Sequence, residues 1–164
     1  VILPDDLIWS TGRGALGQMI DLAEQEKASV ISVQEVPHEQ TSSYGIVAAP
    51  SFTGRFGVIE QIVEKPKPEV APSNLAVVGR YVLSGDIFPI LEKTRSGLGG
   101  EIQLTDAIAQ LIKQDKVLAY QFEGRRFDCG TRIGLIEATI QFALDHEDLA
   151  DEARAFMQEA LARK

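Results

Sequence analysis

Strand-forming runs alternate with amphipathic helical segments along most of this chain, and this alternation limits the folds available to it. Apolar residues with a period of two favour strands, whereas apolar residues recurring every three to four positions favour helices. The strands are predicted at residues 28–36, 44–49, 57–65, 74–84 and 116–124. The helices are predicted at residues 15–27, 101–114, 132–146 and 147–164, with a short one beginning at Asp86. Such alternation indicates an α/β fold built on a sheet.

The second and third predicted strands are separated by turn residues. The segment "PSFTGRFG", residues 50–57, favours a hairpin, which would add an antiparallel strand to the sheet. A length of 164 residues suits one ordinary domain with a core. We therefore expect a mixed sheet flanked by helices, in a single domain that spans residues 1–164.

The first residues, "VILPDDLI", resemble the end of a buried strand that runs into a loop. Since the apolar run begins at residue 1, we expect the domain to be incomplete at its N-terminus.

Composition excludes several classes of function. The formal net charge is −8 and the sequence pI about 4.8, which argues against nucleic-acid binding because phosphate backbones would be repelled. Cys129 is the single cysteine, so a disulfide within the chain is excluded. No apolar run reaches membrane-spanning length and no signal peptide is recognisable. We therefore expect a cytoplasmic protein with no membrane partner.

Three aspartates stand where predicted strands end. Asp5 and Asp6 follow the opening apolar run, and Asp128 follows the run that ends at Phe127. In an open α/β sheet, ligands collect outside the carboxyl ends of the strands, and two carboxylates there suit Mg²⁺. The alternatives are that Asp5 and Asp6 are turn residues, and that Asp128 or Thr131 caps the next helix.

An acid and a base stand together before Pro66. The carboxylate of Glu64 can accept hydrogen bonds from two sugar hydroxyls, and the ammonium of Lys65 suits a phosphate. Neighbouring side chains of a strand point to opposite faces, but a turn at the strand's end can let both reach one ligand. The alternative is a surface ion pair.

Glycines mark three further segments. Gly45 stands where the backbone can approach a ligand closely, with a simple turn as the alternative. The segments "GRGALG" (12–17) and "GLGG" (97–100) lack the spacing or the flanking residues of dinucleotide-binding and P-loop motifs, so both are interpreted as loops.

Five phrases of the sequence, taken in order and at their spacing, closely resemble the bacterial UTP–glucose-1-phosphate uridylyltransferases. They are "LPDDLI", "SSYGIV", "IVEKPKPEVAPSNLAVVGRYVL", "GGEIQLTDAI" and "FDCGTRIGLIEATIQFAL". The resemblance covers essentially the whole chain. It implies a Rossmann-like nucleotidyltransferase fold and a Mg²⁺-dependent reaction in which UTP and glucose 1-phosphate give UDP-glucose and pyrophosphate. It also implies a homo-oligomer, a dimer or a tetramer.

The same resemblance implies roles for individual residues. Asp5 and Asp128 match the metal ligands, whereas Asp6 is the weaker candidate of the adjacent pair. Glu64 matches the residue that holds the sugar hydroxyls, and Lys65 the residue on the sugar phosphate. Lys65, Asp5 and Asp128 are thus the expected catalytic residues. The backbone of the sugar pocket is matched by Gly45, Val77 and Gly79.

One departure from the family is large. The glycine-rich loop that grips the nucleotide triphosphate and the base-recognising residues do not occur in this sequence. It therefore resembles the sugar-phosphate-binding, C-terminal portion of the catalytic domain, and taken alone it should lack most of its UTP site. Two alternatives stay open: a sugar-1-phosphate nucleotidyltransferase that uses dTTP or CTP, and a non-catalytic module.

Overall fold

The computed structural model describes residues 1–97 and 100–163. Part of the predicted loop 97–100 and the end of the predicted helix 147–164 lie outside the described residues. The chain divides into two compact units, of which the first comprises Val1–Ile2 and Ala15–Glu123 and the second Leu3–Gly14 and Gly124–Lys164. The single domain expected for residues 1–164 stays a prediction.

Most of the strands and helices that the sequence predicts occur among the described residues, together with a strand at Asp6–Trp9 that it does not predict. The strands are β1 (Asp6–Trp9), β2 (Ser29–Glu35), β3 (Gly45–Ala48), β4 (Phe56–Val58), β5 (Gln61–Glu64), β6 (Leu75–Val82), β7 (Val117–Tyr120) and β8 (Arg125–Asp128). The helices are α1 (Ala15–Glu26), α2 (Ile87–Leu91), α3 (Leu104–Leu111), α4 (Arg132–Asp145) and α5 (Ala150–Ala162). The predicted α/β fold with a mixed sheet is confirmed.

The first unit is built on a six-stranded sheet in the order β4-β7-β2-β6-β3-β5. Strands β2 and β7 are parallel, and the other neighbours are antiparallel. Strands β4 and β5 occupy opposite edges, although only Ile59 and Glu60 separate them in the chain. A two-residue connection cannot cross a flat sheet of this width, so the sheet is strongly curled.

Strand β2 lies at the centre and is buried on both faces. Val30 packs with Met19 of α1 on one face, whereas Ile31 packs with Ile108 of α3 on the other. A strand covered on both sides reads as a continuous apolar run, which is why residues 28–36 could be identified as a strand from sequence.

The predicted single strand at 57–65 is wrong, because the structure divides this segment into β4 and β5. The backbone N–H of Ile59 donates to Val117 O at 2.9 Å, and that of Glu60 to Ala48 O at 2.9 Å. The chain therefore passes from the β7 edge to the β3 edge between these two residues. The hairpin partnership of 44–49 with this segment is confirmed for β5, which pairs antiparallel with β3.

The expected buried strand at the N-terminus is also wrong. Val1, Ile2 and Leu3 are exposed. Val1 exchanges two backbone hydrogen bonds with Tyr81, and Ile2 forms an isolated bridge with Arg80, so these residues pair with β6 on one side but are not buried. Asp5 consequently lies just before β1, rather than after a buried strand.

The second unit pairs β1 with β8 in antiparallel register and packs α4 on that pair. Thr131 caps α4, since its hydroxyl accepts from the N–H of Gly134 at 3.1 Å. A Cβ on Gly134 would lie 2.0 Å from Asp128 O, so only glycine lets the first turn of α4 approach the end of β8 this closely. Helix α5 packs against α4.

Among the described residues, no helix has both the length and the apolar character needed to cross a membrane.

Candidate functional site

Three of the predicted pocket residues lie side by side across the ends of β6, β3 and β5. Gly45 is the register partner of Glu64, and Ile46 is the partner of Ala76, which places Gly45 beside Val77. A Cβ built on Gly45 would lie 3.3 Å from Glu64 Oε2 and 3.6 Å from Val77 Cγ2. The missing side chain of Gly45 therefore leaves a notch between Glu64 and Val77, which we call the Gly45 notch.

Glu64 is held in place beside this notch by a residue of another element. The hydroxyl of Thr105, in the first turn of α3, donates to Glu64 Oε2 at 2.6 Å. The other oxygen, Oε1, lies 3.7 Å from Lys65 Nζ. The Glu64 side chain is 22% exposed and that of Lys65 is 55% exposed, so both carry a charge that solvent or a ligand can reach.

The backbone of Lys65 explains how adjacent residues reach the same side. Its φ is +44°, in the left-handed region, and its N–H donates to Tyr44 O at 3.0 Å. This turn breaks the alternation of the strand, so the ammonium of Lys65 comes beside the carboxylate of Glu64. A residue with a Cβ costs about 1–2 kcal/mol in this conformation. Strained residues of this kind cluster at functional sites, although Lys27, outside the candidate site, has a similar φ of 51°.

Gly79 lies two residues beyond Val77, where the pairing of β2 with β6 shifts register between Ile31 and Val33. The buried hydroxyl of Ser32 faces two carbonyl oxygens there, those of Val78 at 2.9 Å and Arg80 at 3.0 Å. Gly79 therefore belongs to a β-bulge in the same strand as Val77, and bulges of this kind are common next to active sites.

In the second unit, the predicted metal ligands Asp5 and Asp128 are brought together. The N–H of Cys129 donates to Asp5 O at 2.7 Å. A Cβ on Gly130 would lie 3.1 Å from Asp128 Oδ1 and 3.5 Å from Asp5 Oδ2. Both carboxylates thus border one small space over Gly130, although 123 positions of the sequence, from Asp5 to Asp128, separate them.

Asp6 has a different environment from Asp5. It is buried and forms an ion pair with Arg126, and the two side chains are only 8% and 11% exposed. Nη2 of Arg126 also lies 3.9 Å from Asp128 Oδ2. Arg126 therefore joins Asp6 to Asp128 across the β1–β8 pair, where these two aspartates are register partners. The exposed aspartate of the adjacent pair is Asp5.

The alternative capping role at this position falls to Thr131 and not to the Asp128 side chain. Oδ1 of Asp128 accepts from the N–H of Gly130 at 3.1 Å, and its backbone oxygen accepts from the Thr131 hydroxyl at 2.9 Å. Cys129 is half-buried, with its sulfur 3.9 Å from Phe127 O.

The donors around Gly130 fit a hard divalent cation. Within the described part of the chain, no group of three or more His, Cys, Asp or Glu side chains could enclose a metal ion. Two carboxylates bordering an open space match the preference of Mg²⁺, which keeps several waters and binds through one or two carboxylates plus substrate phosphates.

Two residues that contact the candidate site residues could not be identified from the sequence. Thr105 lies 41 positions from Glu64 and occurs in an ordinary amphipathic helix pattern, so no local signal marks it. Arg126 precedes Phe127 in a strand whose partner could not be known from sequence. Both act through packing between distant segments.

Comparison with known proteins assigns this chain to a family. Residues 1–144 match the nucleotidyl transferase family, and the chain belongs to that family. Enzymes of this family generally use divalent metal ions. Relatives of this chain have a more specific name. They are UTP–glucose-1-phosphate uridylyltransferases, in agreement with the resemblance found in the sequence.

The relative from Pseudomonas aeruginosa is 49% identical over 140 residues, which cover 85% of this chain and 50% of the relative. The relative from Bacillus subtilis is 43% identical over 164 residues, which cover 100% of this chain and 56% of the relative. The chain thus spans about half the length of the curated relatives it matches.

Solved structures agree in fold. A UDP-glucose pyrophosphorylase complexed with UDP-glucose has a TM-score of 0.83 and 42% identity, covering 88% of this chain and 55% of that one. The UTP-bound enzyme from Acinetobacter baumannii has a TM-score of 0.84 and 40% identity, covering 99% of this chain and 55% of that one. These complexes support small-molecule substrates for the family members that resemble this chain.

Proposed function

We propose that this chain supplies the sugar-phosphate side of a UTP–glucose-1-phosphate uridylyltransferase. The observation that carries the proposal is the placement of the Glu64 carboxylate and the Lys65 ammonium on the same side of the end of β5, next to the Gly45 notch. The names of the relatives support the same reaction. The reaction transfers a uridylyl group from UTP to glucose 1-phosphate and releases pyrophosphate.

The two side chains match the two ends of a hexose phosphate. Glu64 would accept hydrogen bonds from sugar hydroxyls, since an ionised carboxylate is an acceptor only. Lys65 would neutralise the phosphate, which is largely dianionic at neutral pH because its second pKa is about 6. Gly45, Val77 and Gly79 would form the floor of the sugar pocket, where side chains are small or absent.

Uridylyl transfer requires positioned substrates and stabilised negative charge rather than a general base. An oxygen of the sugar phosphate forms a bond to the α-phosphorus of UTP, and the bond from that phosphorus to the bridging oxygen breaks. Pyrophosphate leaves with the electron pair, and no proton is transferred. Lys65 lowers the repulsion between the two phosphate groups, and Glu64 binds the hydroxyls of the sugar ring.

Asp5 and Asp128 would hold the divalent cation, and we propose that the cation is Mg²⁺. When bound, it supplies positive charge that offsets repulsion between the two substrates and orients the α-phosphate. The protein would present these two carboxylates to the cation. Among the described residues, no side-chain cation that could compete lies closer than Arg126, at 3.9 Å from Asp128.

Two properties of the whole protein are part of this proposal. We propose a cytoplasmic location, where nucleotide and sugar phosphate are available, and a homo-oligomeric assembly, a dimer or a tetramer. Sedimentation and fractionation of the natural protein that contains this sequence would measure both.

The test is pyrophosphate release by the natural protein, assayed with UTP, dTTP and CTP against glucose 1-phosphate and other hexose 1-phosphates. We expect kcat/KM with UTP and glucose 1-phosphate to exceed every other pair by about tenfold or more. Higher activity with dTTP or CTP would assign the chain to another sugar nucleotidyltransferase. No release with any pair, from a folded protein, would favour the non-catalytic module.

A further inference from the structure

Thr105 makes a contact with the candidate sugar-binding carboxylate that neither the sequence patterns nor the proposed reaction accounts for. Its hydroxyl donates to Glu64 Oε2 at 2.6 Å, which is the length of a charge-assisted O–H···O⁻ hydrogen bond. A Cβ on Gly45 would lie 3.7 Å from the same hydroxyl oxygen. Thr105 therefore borders the Gly45 notch, and it comes from a helix rather than from the sheet.

We propose that Thr105 is a positioning residue that fixes the Glu64 carboxylate for hydrogen bonding to the hydroxyls of the hexose phosphate. This inference rests on the proposed function, because it deepens the role assigned to Glu64. It makes Thr105 a determinant of sugar binding in the natural protein.

The two carboxylate oxygens of Glu64 have different neighbours. Oε2 is held by Thr105 at 2.6 Å, and Oε1 lies 3.7 Å from Lys65 Nζ, which is longer than a hydrogen bond. Without the threonine hydroxyl, the carboxylate would be drawn toward the neighbouring ammonium. Thr105 thus keeps Glu64 from closing on Lys65, and the ammonium stays available to a phosphate.

The hydrogen bond from Thr105 to Glu64 also decides which polar groups face the Gly45 notch. A hydroxyl has one hydrogen to donate and two lone pairs to accept with. Since the hydrogen of Thr105 is engaged by Glu64, the pair of side chains presents only acceptors to the Gly45 notch. An acceptor-only surface matches a ligand that brings O–H donors, as the hydroxyls of a hexose do.

The contact of Thr105 differs from the one that a purely structural threonine makes. A threonine in a helix commonly donates to a carbonyl three or four residues earlier, which is a contact local to its own segment. Thr105 instead contacts β5, 41 positions away in sequence, and donates to the Glu64 carboxylate that borders the notch. A residue needed only for folding would have no reason to affect one substrate more than the other.

The experiment uses the natural protein and compares Thr105→Val, which keeps the shape, with Thr105→Ser, which keeps the hydroxyl. We expect Thr105→Val to raise KM for glucose 1-phosphate about tenfold, the equivalent of one lost hydrogen bond to a charged group, with kcat little changed. KM for UTP should stay within about twofold of the unmodified protein, and Thr105→Ser should restore KM for glucose 1-phosphate.

A double-mutant cycle with Glu64→Gln gives a second readout. If Thr105 acts through Glu64, Thr105→Val should add little to the KM already raised by Glu64→Gln, so the two changes should be strongly non-additive. Circular dichroism and thermal melting establish that each variant is folded, and Thr105→Ala replaces Thr105→Val should the latter not fold.

Four results would overturn the inference. An unchanged KM for glucose 1-phosphate in a folded Thr105→Val protein would do so while leaving the proposed function intact. Equal increases in both KM values, or additive effects with Glu64→Gln, would show a structural role. An unmodified protein that releases no pyrophosphate with glucose 1-phosphate would remove the proposed function itself, and the inference with it.

Discussion

Gly45 and Glu64 face each other as register partners on β3 and β5, and a Cβ on Gly45 would lie 3.3 Å from the nearer carboxylate oxygen of Glu64. The glycine is thus what leaves room beside the carboxylate. Because Gly45 lies in ordinary strand pairing, the fold itself does not require a glycine there. We propose that the space serves the ligand of Glu64.

The change Gly45→Ala should therefore affect binding more than stability. The added methyl group would displace the Glu64 carboxylate by a few tenths of an ångström and fill the Gly45 notch. We expect the free energy of unfolding to change by less than about 1 kcal/mol and KM for glucose 1-phosphate to rise about tenfold. Steady-state kinetics and denaturant melts measure the two effects. Gly85→Ala is the matched control, since a Cβ there meets nothing within 4 Å.

A normal KM in Gly45→Ala, with stability also normal, would show that the notch is not part of the sugar site.

The left-handed backbone of Lys65 predicts that a glycine variant at this position is more stable than an alanine variant, the reverse of the usual order. At most positions glycine is less stable than alanine, because glycine loses more backbone entropy on folding. At Lys65, with φ of +44°, glycine relieves the clash of the Cβ, so Lys65→Gly should be about 1 kcal/mol more stable than Lys65→Ala. Lys67, with φ of −60°, is the control and should show the usual order. Chemical denaturation of the four variants measures the difference; the same order at both positions would contradict the strained conformation.

Asp6 and Asp128 are register partners, yet they should respond oppositely to the same substitution. Asp6→Asn leaves Arg126 without its buried carboxylate partner, and we expect a loss of about 3 kcal/mol or more in the free energy of unfolding. Asp128→Asn keeps an oxygen that can accept from Gly130, so stability should change by less than about 1 kcal/mol. Its kcat should nevertheless fall about a hundredfold or more if the side chain holds the cation.

Calorimetry and a Mg²⁺ titration of pyrophosphate release distinguish the two cases. Asp128→Asn with a normal rate and a normal Mg²⁺ requirement would exclude Asp128 as a metal ligand. Asp6→Asn with unchanged stability would mean that the buried ion pair contributes nothing to the fold.

Much of the fold could be predicted from local patterns. The elements α1, β2, β6 and α4 lie within a few residues of their predicted limits, because each has a clean apolar period or a marked end such as the Thr131 cap. The division of residues 57–65 into β4 and β5 could not be predicted, since the apolar period continues through Ile59. Which strand pairs with which depends on the curl of the sheet, and that is a property of the whole unit.

The candidate site shows the same limit. The chemistry that a side chain can perform can be predicted from its residue type, as for Glu64, Lys65, Asp5 and Asp128. The roles of these four residues stay predictions. Thr105 was missed because its contact depends on how α3 packs against β5. The turn that brings Lys65 beside Glu64 could be anticipated from Pro66, but its left-handed conformation could not.

The proposed role of Lys65 is tested by the kinetics of Lys65→Ala in the natural protein, with Lys67→Ala as the matched control. If the ammonium of Lys65 binds the sugar phosphate, KM for glucose 1-phosphate should rise about thirtyfold or more and kcat should fall, because a charged contact is lost in the transition state as well. KM for UTP should remain within about twofold, and Lys67→Ala should behave like the unmodified protein. Normal glucose 1-phosphate kinetics in Lys65→Ala would contradict the binding of the sugar phosphate by Lys65.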